Sequence, residues 1–259
     1  MELFDSHAHY DDEKFDEDRD EIIKAIYEDG VTKCVSAGYS LESSKKGIEL
    51  AQKYDFIYTT CGISPNDLPE THEELEEQLK EVERLAITCE KVVAIGEIGL
   101  DYYWNKENKE LQLEAFKRQI EIANKLNLPI QIHTRDAIMD TIDIITNADF
   151  VKPGIFHCCP QNKDLIMAGL KKDFYISFGG PITFKNSKNA DEMLGIIPID
   201  HQLIETDSPY LSPEPNRGKR NDSRNIKYVA EKIANSKNMN LEDVARITYE
   251  NAKKAFSIY

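Results

Sequence analysis

Long apolar runs are missing from this chain. No stretch approaches the roughly 20 residues that a helix needs to cross a bilayer, and the opening MELFDSHAHYDD lacks the basic, apolar and small-residue order of a secretory signal. A cytoplasmic protein without membrane contact is expected. Cysteine is sparse and unpatterned. Cys34, Cys61, Cys89, Cys158 and Cys159 are odd in number and form no CxxC pair, which excludes a disulfide framework and a zinc knuckle. Positive charge is in deficit, with 32 Lys and Arg against 47 Asp and Glu and a formal charge of −15. That balance repels polyanions and excludes non-specific duplex binding through a broad basic face. A nucleic-acid substrate would have to be held locally, by metal ions and a few placed cations. Low-complexity tracts, Pro/Gly/Ser-rich linkers and repeats of roughly 20 to 50 residues are absent as well, so neither a solenoid nor a linker-divided chain is indicated. Nothing points to an obligate protein partner.

What is present is a globular composition, 41% hydrophobic and 31% charged, in 259 residues, close to the ~250 typical of a (β/α)8 barrel. Short β-rich runs fall at 3–6, 31–37, 56–61, 92–95, 129–133, 154–157, 174–178 and 202–206. Between them, segments such as 18–29, 73–88, 110–126 and 136–147 carry apolar residues at helical spacing, and Leu113, Phe116, Ile120, Ala123 and Leu126 form one stripe. This alternation predicts an α/β fold, a single (β/α)8 TIM-type barrel over 1–259, with an open doubly wound sheet as the alternative. Segment 67–90 holds nine acidic and two basic residues and reads as a solvated outer helix. Two last helices, near 224–236 and 241–255, precede no strand and are expected to close the barrel base.

The sharpest local signal is His7-Ala8-His9 at the end of the first strand, where residues two apart share a face and both imidazoles can reach one ion. Alone the motif is weak, and a plain pair of histidines at a strand end would look the same. The other candidates fall at strand ends too: Glu97 after the fourth, His133 ending the fifth, His157 ending the sixth and Asp207 ending the eighth. In a (β/α)8 barrel those ends meet at one rim, where active sites lie. His72 and His201 are left as surface residues. Six ligands exceed the three that one catalytic zinc takes from protein, so two divalent ions (zinc, magnesium or manganese) are expected. His7, His9 and Asp207 are assigned to the first, His133 and His157 to the second, and Glu97 bridges them.

The stretches DSHAH at 5–9, GEIGLDYY at 96–103, IQIHTRDA at 130–137, GIFHC at 154–158, FGGPITFKN at 178–186 and ETDSPYLSPEPNRGKRN at 205–221 together resemble the TatD deoxyribonucleases of the amidohydrolase-like metal-dependent hydrolases. The resemblance spans nearly the whole chain in order. It implies a barrel, divalent-metal dependence and hydrolysis of DNA, often from single-stranded ends in the 3′ to 5′ direction. One segment departs from the pattern: the family's GxHPH-like run is GISPND here, so Ser64 and Asn66 stand where histidines are usual. A hydroxyl and an amide can hydrogen-bond a phosphate but cannot exchange a proton near neutral pH.

Asp207 and Glu97 are therefore the expected catalytic carboxylates, with Asp207 orienting the attacking water and taking its proton. Arg217, Lys219 and Arg220 are expected to grip substrate phosphates, as are Arg135 and Ser64. Tyr102, Tyr103 and Trp104 either stack on an unpaired base or pack beneath their loop. Cys158 reads as a small buried apolar residue. The expected partner is single-stranded or frayed DNA. Two alternatives stay open: an ester or amide hydrolase using the same ligands, possibly acting on a nucleic acid adduct, and a non-catalytic metal-binding relative.

Overall fold

Polar caps start several of the helices. The side chains of Ser40, Thr71 and Asn162 accept from the backbone N–H groups of Ser43, Glu74 and Leu165, satisfying donors that a first helical turn leaves unpaired. The protein, a computed structural model describing residues 1–259, runs β1 (Leu3–Ala8), α1 (Arg19–Glu28), β2 (Val31–Ser36), α2 (Leu41–Lys53), β3 (Ile57–Cys61), α3 (His72–Thr88), β4 (Val92–Asp101), α4 (Lys109–Leu126), β5 (Ile130–Arg135), α5 (Ile138–Asn147), β6 (Ile155–Phe156), α6 (Lys163–Lys171), β7 (Tyr175–Phe178), α7 (Ala190–Ile196), β8 (Gln202–Ile204), α8 (Ile226–Lys237) and α9 (Leu241–Ala255).

The eight strands lie parallel in the order β1 to β8. β8 returns to β1 through a parallel bridge between Ala8 and Ser208, where His9 N–H donates to Ser208 O at 2.6 Å and Asp207 N–H to His7 O at 2.9 Å. The sheet curls into the (β/α)8 barrel that the sequence predicts rather than the open alternative. Strand ends differ from expectation at four of the expected ligands: His133 lies inside β5, which runs on to Arg135, Asp207 follows β8 by three residues, and the other two lie at β4 and β6. β4 continues to Asp101, so Glu97 sits inside a long strand rather than after a short one, and its register against β5 slips between Ile95 and Ile98. β6 is only Ile155–Phe156, so His157 follows it.

Helix α4 shows why the site is held rigidly. Its buried face carries Leu111, Ala115, Phe116, Ile120 and Ala123, together with two amides, Gln112 and Gln119. Leu113 and Leu126 of the expected stripe are only half-buried, because the face is rotated toward the amides. Gln119 accepts from Ile63 N–H at 2.8 Å and donates to Ile63 O at 3.0 Å. Gln112 does the same for Asp101, at 2.8 and 3.0 Å. A buried amide needs such partners, and here they pin the ends of β3 and β4.

The base of the barrel is apolar. Phe4, Val35, Val93, Ala94, Ile155 and Leu203 form one cluster with Ala252, Ala255, Phe256 and Ile258, so α9 and the residues after it seal this end. α8 lies instead in the outer ring beside β1 and β8, which corrects the expectation that both last helices close the base. α3 buries Leu75, Leu79, Val82, Leu85 and Ala86 and turns its acidic face outward, with Glu76 paired to Arg118 and Glu83 to Lys125. No helix is long and apolar enough to cross a membrane.

Gly99 allows β4 to run beside β5: its φ is +140°, and a Cβ there would lie 2.0 Å from His133 O. Two backbones must separate to admit a methyl, so Gly99→Ala is expected to lose at least ~2 kcal/mol and to lower the melting temperature by about 5 °C or more. Gly195, in α7, has nothing within 4 Å of such a Cβ, and Gly195→Ala should gain ~0.5–1 kcal/mol through helix propensity. Thermal melts of both variants check the contrast, and equal midpoints would refute it.

Candidate metal centre

At the carboxyl ends of the strands the six expected ligands come together. His7 Nε2 and His9 Nε2 lie 3.1 Å apart, and Asp207 Oδ1 is 3.6 Å from the first and 3.3 Å from the second. On the opposite side, His133 Nδ1 and His157 Nε2 are 3.2 Å apart. Glu97 stands between the two groups and divides its oxygens. Oε1 is 2.9 Å from His133 Nδ1 and 3.3 Å from His157 Nε2, while Oε2 is 3.6 Å from His7 Nε2 and 3.8 Å from His9 Nε2. The His7 and His157 rings stack with centroids 3.8 Å apart, so the halves are contiguous.

The donor set fits metal ions. Ligands held about 2.0–2.2 Å from an ion sit ~3–3.5 Å from one another, and the distances here, from 2.9 to 3.8 Å, bracket that spacing. Two sets, His7-His9-Asp207 and His7-Glu97-His157, have ligand atoms within 4.8 Å of each other. His133, expected in the second set, is held to Glu97 and His157 by the distances above. Two imidazoles are also aimed by hydrogen bonds on their far nitrogens: His9 Nδ1 is 3.1 Å from Ala37 O and His133 Nε2 is 3.0 Å from Asp101 Oδ2, whereas His157 Nδ1, 3.5 Å from Glu205 Oε1, makes no hydrogen bond. Such outer partners fix the tautomer and leave the inward nitrogen free to bind.

Electrostatics set His7 apart from the other three histidines, whose pKa values are raised. Burial, with the neighbouring His157 and His9, pushes the His7 imidazole well below the usual histidine range. Burial also opposes the His9 imidazolium, but Asp207, Glu97 and Asp11 outweigh it and hold its pKa at about 9. Burial would favour a neutral Glu97, yet His157 and His133 hold its carboxyl well below the ordinary range. Glu97 is thus an anion shared among imidazoles.

Asp101 and Glu205 escaped sequence reasoning as functional residues. Asp101 takes hydrogen bonds from His133, from Asn66 Nδ2 at 3.2 Å and from the Tyr103 and Trp104 amides at 2.9 and 3.2 Å; against its burial these hold its pKa at about 2. Glu205 Oε1 accepts from Cys158 N–H at 2.7 Å. The available signal was spacing: Asp101 is four residues past Glu97 in GEIGLD, and Glu205 is two before Asp207.

The metal centre opens into a cavity of about 790 Å³, lined also by Ser64, Asn66, Asp67, Trp104, Arg135 and Cys158. Ser64 donates to Asp67 Oδ2 at 2.6 Å. Arg135 is exposed and lies over the Tyr103 ring, 3.7 Å from its centroid. Cys158 is half-buried on the cavity wall instead of packed in the core, and burial pushes its thiol well above the normal range; it belongs to neither of the two ligand sets above. The loop at 217–220 is placed differently from expectation. Arg217 lies over Phe184 at 4.2 Å, and Lys219 and Arg220 line a separate cleft with Asp222 and Arg224. Arg220 grips Asp18 through both guanidinium nitrogens, at 2.9 and 2.5 Å, and donates to Lys14 O. Its charge is spent on holding the loop to the start of α1, a partner invisible in the local sequence. His72 pairs with Glu114, and His201 with Asp173 and Asp200, all remote from the cavity lining.

Comparison with known proteins agrees with this geometry. Residues 4–257 match the family described as TatD related DNase. The metal-dependent hydrolase YabD of Bacillus subtilis is 45% identical over 258 residues, covering 99% of both chains. The metal-dependent hydrolase YcfH of Escherichia coli K12 is 34% identical over 262 residues, covering 100% of this chain and 97% of its own. Among solved structures, the E. coli K12 TatD homolog YJJV superposes with a TM-score of 0.92 at 22% identity, covering 99% of this chain and 98% of its own. The family match and the end-to-end relatives leave one placement: the chain belongs to the TatD family of metal-dependent hydrolases.

Proposed function

We propose that the protein is a divalent-metal-dependent phosphodiester hydrolase acting on DNA, an exonuclease that removes nucleotides from single-stranded ends in the 3′ to 5′ direction. The observation that carries this reading is the division of Glu97: one oxygen faces His133 and His157, the other His7 and His9, on the floor of an open cavity. Two ions held by these six residues would supply Lewis-acid activation of water and neutralise charge on the phosphoryl oxygens.

The chain's own residues do the rest. Asp207, at the cavity wall and partly exposed, orients the attacking water and accepts its proton. Glu97 keeps the two ligand groups in register as a shared anion. Asp101 and Ala37 O engage the far nitrogens of His133 and His9, so that the inward nitrogens are the ones that would give up a proton and turn a lone pair to an ion. Ser64 and Asn66 are engaged by Asp67 and Asp101, so that wall offers no imidazole to the leaving oxygen, which takes its proton from solvent. Arg135 is the one Lys or Arg in the lining and takes a substrate phosphate, a task its planar guanidinium suits.

End-labelled single-stranded DNA incubated with the protein and Mg2+ or Mn2+ should shorten from its 3′ end, and EDTA should stop it. A strand that stays intact would favour the rival in which the same ligands cleave an ester or amide. Asp207→Asn is expected to lower kcat by ~100-fold or more, measured with saturating substrate; a kcat within a few-fold of the parent removes Asp207 from the proton step. Asp101→Asn should weaken metal affinity by about 10- to 100-fold by loosening His133. Competition with a chromogenic chelator reads that directly, and unchanged affinity would show that His133 needs no support.

A further inference from the structure

The proposed hydrolysis leaves unused a pair of rings at the cavity rim. Trp104, the chain's one tryptophan, is 68% exposed, and Tyr103 beside it is 54% exposed. Neither joins the hydrophobic core, whereas the adjacent Tyr102 packs against it and donates its hydroxyl to Asp140. Core packing therefore accounts for Tyr102 and not for the other two. Trp104 borders the same cavity as Arg135 and His133. The Arg135 guanidinium lies 3.7 Å from the Tyr103 centroid and 5.6 Å from that of Trp104. Tyr103 and Trp104 meet at 88° with centroids 4.9 Å apart, so neither ring is stacked face to face on the other.

The turn bearing these rings is fixed. Asp101 Oδ1 accepts from the N–H groups of Tyr103 and Trp104, while its Oδ2 accepts from His133. Gln112 braces the same turn from beneath, accepting from Asp101 N–H and donating to Asn105 O. One carboxylate thus sets the aromatic pair in a constant relation to a candidate metal ligand. Arg135, two residues past His133, stands about 7 Å further along β5.

We infer that Trp104, braced by Tyr103 and Arg135, is a subsite for an unpaired nucleobase next to the bond being cleaved, with Arg135 on the adjoining phosphate. The inference rests on the nuclease reading and names the part of the strand that the site recognises. An indole face accepts any base, because every base has a π face, and a guanidinium fork matches phosphate. A base inside a duplex is stacked on both sides and has no face to offer. The subsite therefore admits a single-stranded or frayed end and rejects a closed helix, without any basic surface.

With only one tryptophan, the protein's indole emission reports this site alone. In Mg2+, a phosphorothioate single strand that resists cutting should quench it saturably. A blunt-ended two-strand duplex of matching sequence, and a single strand made abasic at its terminal nucleotides, should not. On cleavable DNA, Trp104→Ala should raise KM roughly tenfold, with the loss on KM rather than kcat, and should erase the parent's preference for intact over abasic ends; Trp104→Phe should restore most of it. Circular dichroism confirms that removing this exposed ring leaves the fold intact. Emission unmoved by the intact strand, or a preference for intact ends that survives in Trp104→Ala, would overturn the subsite. Cleavage without quenching would sink the stacking site alone, whereas quenching by a strand that is never cut in its cleavable form would sink the nuclease reading and leave the binding site standing.

Discussion

One buried carboxylate surrounded by imidazoles is the constraint that organises this molecule. Glu97 is 8% exposed, and an isolated carboxylate taken so far from water would be neutralised rather than tolerated. It stays an anion because four ring nitrogens lie within 3.8 Å of its oxygens. The converse also holds: four crowded imidazoles cannot all be cationic, and the cluster resolves this by pushing His7 down while Asp207 and Glu97 hold His9 up. A set of charges so interdependent tolerates little displacement. This explains why the end of β4 is fixed from behind by Gln112 and why its approach to β5 needs a residue without a side chain at position 99.

The two ends of the barrel divide the work. The base is hydrocarbon, with Phe256 and Ile258 packed under Phe4 and Leu203, and contributes through burial. The opposite rim is almost entirely polar where the strands end, and it adds buried hydrogen bonds rather than apolar contact. Asp5 is an example: it accepts from the His7 and Thr206 amides and from the Thr206 and Ser223 hydroxyls, tying the chain ahead of Asp207 to the chain carrying His7. Stability concentrated at one end leaves the other free to be shaped by ligand geometry.

How much of this the sequence made legible follows from the range of each interaction. Strand-helix alternation and the positions of His7, His9, Glu97, His133, His157 and Asp207 were readable because strand ends converge in a closed barrel whatever the details of packing. The tautomer-setting role of Asp101 was not readable, since it depends on β4 continuing four residues past Glu97, beyond the apolar run that marks the strand. The placement of Arg220 was hidden for a related reason. Its charge was visible in RGKRN, but its partner Asp18 lies 202 residues away in the chain. The α4 stripe was off by part of a turn because Gln112 and Gln119, polar by composition, are buried by their bonds to loops. Polar residues that face inward to serve a site escape any pattern that equates burial with hydrophobicity.

The proposed nuclease reading has to meet one tension, between a chain of charge −15 and an anionic strand. Asp12, Asp67, Glu97 and Asp207 all border the cavity, against one arginine. Screening confines their repulsion to about 8–10 Å in physiological salt, so it is felt where the substrate enters rather than at a distance. Two divalent ions in the cluster would reverse the sign at the floor of the cavity while the walls stayed negative. Such a field would draw one phosphate inward and oppose its neighbours, which would disfavour a double helix with its two rows of charge more than a single strand that can thread one backbone past Arg135. Under the proposed reading, selection by the field and selection by the Trp104 face would act in the same direction, and the acidic surface would be part of the discrimination instead of an obstacle to binding.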